Sequence, residues 1–159
     1  MMITILIDGQ SGSGKTTLAR TLASDTGFQL VHLDDFYPGW DGLAKAQEMV
    51  ARDVLHPTTP GFWRWDWVGE QASEWVDIQP GHSLIIEGCG AVSGASISAA
   101  QALGEVITVR ITGPEALRKQ RALTRDPDYA PWWDMWAMQE REHCAGPGNV
   151  PVDHVLELG

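Results

Sequence analysis

The sequence predicts one α/β domain: a parallel sheet with helices on both faces. Three observations carry this. Short apolar, largely β-branched runs recur along the chain. Segments with helical apolar spacing separate them, and strands that are apolar along their whole length belong to sheets buried on both sides. The first strand-to-helix junction is Gly9-Gln10-Ser11-Gly12-Ser13-Gly14-Lys15-Thr16, which matches G-x-x-x-x-G-K-[ST] at every fixed position.

Residues 3–7 form the first run and end in Asp8-Gly9. Leu18, Ala19, Leu22 and Ala23 then recur at helical spacing, and Gly27 supplies the stop. Residues 30–33 predict a second strand, closed by Asp34 and Asp35. Leu43, Ala46, Val50 and Val54 fit one helix face, ended by the breaker loop HPTTPG. The stretch VGEQASEWV, residues 68–76, predicts a short helix, and Gln79-Pro80-Gly81 a turn. Residues 83–86 give a third strand ending in Glu87-Gly88. A small-residue helix is expected over 95–103, before Gly104, and a fourth strand over 106–111. Pro114 suits the first turn of a helix running to about Arg125. A last helix over 132–143 and a fifth strand over 152–158 complete the pattern. There is no internal repeat, low-complexity tract or linker.

The chain has 159 residues, 43% of them hydrophobic, enough for one full core. Its formal charge of −10 works against nucleic acid and anionic membranes, so neither is expected as a partner. Small anions need only a few local positive groups. Cys89 and Cys144 form no CxxC pair, and the five histidines have no metal-ligand spacing. The apolar N-terminus is too short for a signal peptide or a membrane span. A reducing, cytoplasmic setting is expected.

The glycine-rich stretch has a physical purpose. Gly9, Ser11, Gly12, Ser13 and Gly14 let the backbone curl so that its amides converge on one anion. The helix starting near Lys15 adds its positive end. Lys15 can reach the β- and γ-phosphates, Thr16 can place its hydroxyl on Mg²⁺, and Thr17 extends the grip. ATP or another nucleoside triphosphate, with Mg²⁺, is the expected cofactor pair.

Ligands of open α/β sheets bind at the carboxyl ends of the strands. Three groups fall there. In LDDFY, Asp34 and Asp35 follow the second strand, with Phe36 and Tyr37 behind them. In LIIEGCG, an apolar strand ends in Glu87, placed to orient Mg²⁺-bound water. In LRKQRALTRD, Arg118, Arg121 and Arg125 are spaced by three and four and share a helix face.

In this order, the loop and the three groups resemble the uridine kinase-like branch of the P-loop kinases, a small-molecule kinase branch of the P-loop NTPase superfamily. The resemblance implies a three-layer fold with a five-stranded parallel sheet of order 2-3-1-4-5. It implies Asp34 as the base that takes the acceptor's proton, with Asp35 sharing this role or helping to hold Mg²⁺. Glu87 would lie in the metal's surroundings. Arg118, Arg121 and Arg125 would neutralise the transferring phosphoryl, one of them against adenine.

Between strands two and three, GFWRWDW alternates Trp63, Trp65 and Trp67 with Arg64 and Asp66. Alternation puts the tryptophans on one side of an extended segment. Arg64 and Asp66, with Tyr37, are candidate acceptor contacts; most of the tryptophans are expected to seal the core. No hairpin is legible there. Residues 36–78 are thus expected to form an acceptor-binding insertion and residues 115–143 a lid, within a single domain spanning 1–159. The expected activity is transfer of a γ-phosphoryl group to a hydroxyl of a small metabolite, a nucleoside or related compound among the candidates. One alternative is a nucleoside-monophosphate kinase, which needs positive groups around the acceptor phosphate; the acceptor region offers few, Lys45, Arg52 and Arg64. The other is a nucleotide-binding regulatory module with little or no ATPase activity.

Overall fold

A computed structural model describes residues 1–158. Strand β1 (Ile3–Gly9) runs into helix α1 (Lys15–Thr26), followed by β2 (Gln29–His32) and a single 3-10 turn over Leu33–Asp35. Helix α2 (Leu43–Met49) continues as a π-helical turn over Val50–Val54. Strands β3 (Gly61–Asp66) and β4 (Gln71–Asp77) come next, then β5 (Leu84–Glu87), α3 (Gly94–Gln101), β6 (Glu105–Thr112) and α4 (Glu115–Arg125). A 3-10 segment over Pro127–Trp132 leads into α5 (Trp133–Ala145), and β7 (His154–Glu157) is the final strand.

The main sheet has five parallel strands in the order β2-β5-β1-β6-β7. This numbering differs from the expected 2-3-1-4-5 because two strands outside the sheet, β3 and β4, take the third and fourth places along the chain. Side chains on a strand alternate between faces, and the core divides accordingly. Leu6, Leu84 and Ile86 pack with α2, α3 and α5 residues in one cluster. Ile5, Ile7 and Ile85 join Ala19 and Leu22 of α1 in the other. Burial on both faces accounts for the largely apolar strands in the sequence.

One expectation is overturned. Residues 68–76 do not form a helix. They hold a turn and strand β4, which pairs antiparallel with β3. Trp63 faces Trp75 and Trp65 faces Ala72, with a bulge between. Glu70 adopts a left-handed conformation, φ 54°, at the turn, and Asp66 Oδ1 accepts the backbone N–H groups of Val68 and Gly69, each at 3.0 Å. This side-chain cap closes the turn where helix-forming Glu, Gln and Ala suggested continuation. A hairpin therefore stands where none was legible. Among the described residues no helix is long and apolar enough to cross a membrane.

Candidate active site

Gly9, His32, Glu87 and Thr112 end β1, β2, β5 and β6 on one edge of the sheet. A cavity of about 680 Å³ opens at that edge. Its floor is the loop between β1 and α1. Gly12 and Gly14 hold left-handed conformations, φ 79° and 96°, which glycine adopts without steric cost. No side chain caps the first turn of α1, so that turn keeps its donors for an anion.

Ser11, Gly12, Gly14, Lys15, Thr16 and Thr17 line the cavity; Gly9 and Ser13 do not. The Lys15 ammonium rests 3.2 Å from the Gln10 carbonyl oxygen. The Thr16 hydroxyl donates to Glu87 Oε1 at 3.1 Å. A hydroxyl and a carboxylate oxygen converge there, a donor set that suits Mg²⁺. Asp35 does not reach the cavity. Its carboxylate lies 3.6 Å from the Arg64 guanidinium, which also approaches Glu74 at 3.4 Å.

Asp34 and Glu87 face the same space with opposite electrostatics. Burial pushes the Asp34 carboxyl up, and the neighbouring Glu87 charge adds to this; Lys15 and Arg125 pull partly against it. Its residue surface is nonetheless open to solvent through the cavity. Burial acts to raise Glu87 as well, but His32 Nδ1 at 2.6 Å, together with Lys15 and Thr16, holds it below the usual carboxylate value. Two nearby carboxyls pushed in opposite directions are suited to different tasks, proton acceptor and permanent anion.

The arginines of α4 separate. Arg125 lines the cavity. Arg118 is buried behind the loop, donating from Nε to the Gly113 carbonyl at 2.9 Å and from a terminal nitrogen to the Ser11 carbonyl at 3.3 Å. Arg121 is exposed and is absent from the cavity wall. Along α4, Arg118 docks on the loop, Arg125 two turns further on reaches the cavity, and Arg121 between them is exposed. Of the acceptor contacts expected from sequence, Tyr37 lines the cavity, its hydroxyl donating to the Cys89 carbonyl at 2.7 Å. Arg64 and Asp66 are taken up by ion pairs and the hairpin turn. Lys45 and Arg52 do not line the cavity either.

The tryptophans also depart from expectation. Trp63 and Trp67 are 49% and 39% exposed, so they do not seal the core. Trp40 sits at the centre of an aromatic wall. It stacks on Trp132 at 5.2 Å, with planes 2° apart, and meets Trp67 at 5.0 Å and Tyr129 at 5.5 Å. The Trp67 indole N–H donates to the Asp34 carbonyl at 3.3 Å, which ties this wall to the carboxylate at its foot.

Solved structures share this arrangement of sheet, loop and helices. The possible uridine kinase from Bacillus stearothermophilus is 17% identical, covering 98% of this chain and 88% of that one at TM-score 0.55. A sugar kinase from Janibacter sp. HTCC2649 is 20% identical, covering 99% and 86% at 0.54. Shikimate kinase from Acinetobacter baumannii, in complex with shikimate, is 16% identical, covering 100% and 85% at 0.54. The chain has the fold of a P-loop kinase. No protein-family model and no curated protein matches its sequence.

On this P-loop kinase fold, sequence reading missed three contributors. Glu140 of α5 accepts the Ser11 backbone N–H at 2.8 Å and the Ser11 hydroxyl at 3.1 Å through Oε2. Tyr129 shares a 2.8 Å hydrogen bond with the same hydroxyl. His143 Nε2 lies 2.9 Å from Asp8 Oδ2, which also accepts the amides of Gly90 and Val92. Helix α5 thus grips both ends of the junction between β1 and the P-loop. The only hint in the sequence is that Glu140 and His143, three apart, share a helix face.

Proposed function

We propose that this chain is an ATP- and Mg²⁺-dependent phosphotransferase acting on a hydroxyl of a small metabolite. The observation that carries the reading is the meeting, in one cavity, of the P-loop residues Lys15 and Thr16 with Asp34, a carboxylate whose proton affinity is raised. A purely nucleotide-holding module has no need of such a base opposite the phosphate grip.

In this reading the loop amides and Lys15 hold the triphosphate. Thr16 and Glu87 would hold Mg²⁺, which when bound neutralises phosphate charge. Asp34 orients the acceptor hydroxyl and takes its proton. The acceptor oxygen forms a bond to the γ-phosphorus as the bond from that phosphorus to the β–γ bridging oxygen breaks, releasing ADP. Arg125, at the cavity wall, stabilises charge on the transferring group. A raised carboxyl is better matched to proton acceptance near neutral pH than an ordinary one. The segment 115–143 would act as the lid, and 36–78 would supply acceptor-side walls through Tyr37, Trp40 and Trp67. Unpaired Cys89 and Cys144 are compatible with the cytoplasm.

The test is ATP consumption across a metabolite panel, for the wild type and for Asp34→Asn. Acceptor-dependent turnover should fall by roughly 10²–10⁴-fold in the variant, with ATP binding retained. ATP loss that is independent of any acceptor and unchanged in Asp34→Asn would instead mark a nucleotide-binding module.

A further inference from the structure

The charges lining the cavity are unequal. Asp34, Glu87, Asp126, Asp128 and Glu140 give five carboxylates, while Lys15 and Arg125 give two cations. Lys15 and Glu87 belong to the phosphate and Mg²⁺ sites and Arg125 to the transferring group, which leaves four carboxylates and, among the described residues, no further Lys or Arg lining the space. A carboxylate or phosphate on the acceptor would therefore meet excess like charge and no cation of its own. Outside the P-loop, most of the uncharged wall is aromatic: Trp40, Trp67, Trp132, Trp136, Tyr37 and Tyr129. Aromatic faces carry negative quadrupole potential and attract organic cations, most strongly where tryptophans are grouped. Trp132 and Trp67 remain 40% and 39% exposed at the opening, and Trp67 is hydrogen-bonded to the backbone of Asp34. The aromatic wall and the acceptor base are therefore adjacent. A third observation points the same way. Glu140 is 1% exposed, and among the described residues its Oε1 has no hydrogen-bond partner although Oε2 has two. A buried carboxylate left half-satisfied at the cavity wall is better balanced by a nearby positive charge than by a neutral ligand.

We propose that the acceptor is a cationic alcohol, an amino alcohol or amino sugar, whose ammonium group lies against the tryptophan wall while its hydroxyl faces Asp34. The inference rests on the phosphotransferase reading for the hydroxyl's fate, but the ammonium site stands or falls by binding alone. A neutral nucleoside could stack on the same rings, yet it would leave the carboxylate excess uncompensated.

Choline and its uncharged isostere 3,3-dimethylbutan-1-ol separate charge recognition from simple apolar fit. Binding is read by calorimetry and tryptophan fluorescence, with and without Mg²⁺ and a non-hydrolysable ATP analogue. Choline is expected to bind at least tenfold more tightly than the isostere. Trp132→Leu, a change at a partly exposed residue, should shrink that ratio severalfold, and Asp128→Asn, also exposed, should lower it. Equal binding of the pair, or no binding of choline and ethanolamine alike, overturns the inference. So does acceptor-dependent ATP turnover with uridine, a neutral sugar or shikimate but with none of choline, ethanolamine and glucosamine. Selective choline binding with no acceptor-dependent turnover on any compound would support the ammonium site and defeat the phosphotransferase reading.

Discussion

Glu140 and Ser11, 129 residues apart, are joined by two hydrogen bonds: one Glu140 oxygen accepts both the backbone N–H and the hydroxyl of the P-loop serine. A carboxylate thus occupies an amide of an anion-binding loop from within the protein. It braces the loop from α5, and burial raises its proton affinity, offset in part by Lys15 and by Ser11 itself.

That raised carboxyl has a defined pH signature. A group that holds its proton more tightly in the folded state than in the unfolded chain lowers stability as pH rises from the unfolded value through the folded one. For Glu140 the window begins near its ordinary value of 4.5 and extends upward. Glu140→Gln keeps an oxygen for the Ser11 N–H and removes the titration. Urea unfolding across this range should show the variant gaining on the wild type as pH rises. Parallel curves would mean that Glu140 does not titrate there. Glu140→Ala also removes the titration but strands the Ser11 amide, and should lie below Glu140→Gln by about 1–3 kcal/mol across the range.

Arg118 and Arg125 should fail in different assays. Arg118 satisfies the carbonyls of Ser11 and Gly113 from a buried position. Arg118→Ala leaves both without that donor, and about 1–3 kcal/mol for the buried Ser11 carbonyl lowers Tm by several degrees. Arg125 is exposed at the cavity, so Arg125→Ala should leave Tm nearly unchanged and reduce kcat. Thermal melts alongside turnover decide this; a stable, fully active Arg118→Ala would contradict the bracing role.

His32 and Glu87 form a pair whose pH limits follow from their shifts. The Glu87 contribution is present above 4.5 and is lost as pH falls through its depressed value. The hydrogen bond to Glu87 raises His32, so its contribution is complete below 6.5 and is lost as pH rises through the raised value. The pair is fully formed between those two reference values. His32→Ala removes the donor and leaves burial to dominate Glu87. The acid limb of Mg²⁺-dependent nucleotide binding should then move to higher pH, and His32→Gln, which can still donate, should restore part of it. An unmoved acid limb in His32→Ala would show that Glu87 is tuned by other groups.

Much of this was legible where chemistry is written contiguously. Residues 9–17 match a phosphate loop because its amides are neighbours in the chain, and β1, β5 and β6 announce themselves by runs rich in Ile, Leu and Val. That Asp34 and Glu87 lie at the cavity was legible because acids that follow strands have fixed places in a parallel sheet. Glu140, Tyr129 and Trp40 were not, because each reaches the site through a contact between distant parts of the chain, and a glutamate within EREH resembles any solvated helix position. The hairpin was missed because β4 is rich in Gln, Ala and Glu, whose helical preference is overridden by the Asp66 cap and pairing with β3. Arg118 was misassigned because spacing fixes which residues share a face but not what that face meets.

Gly12 and Gly14 provide a last contrast. Both have left-handed φ, and a side chain in that conformation costs roughly 1–2 kcal/mol. A Cβ on Gly14 would meet nothing within 4 Å. A Cβ on Gly12 would overlap the Arg118 carbonyl and the backbone of α4, which cannot give way as a side chain can. Gly14→Ala should therefore lose only the conformational cost, a few degrees in Tm for a domain of this size. Gly12→Ala must also push α4 away from the loop. That would strain the Arg118 hydrogen bond to Ser11 and move Arg125 relative to the phosphate site. Its Tm should drop well beyond that of Gly14→Ala, and nucleotide affinity should fall with it. Equal melting temperatures for the two variants would mean that the close seating of α4 on the P-loop contributes little to stability.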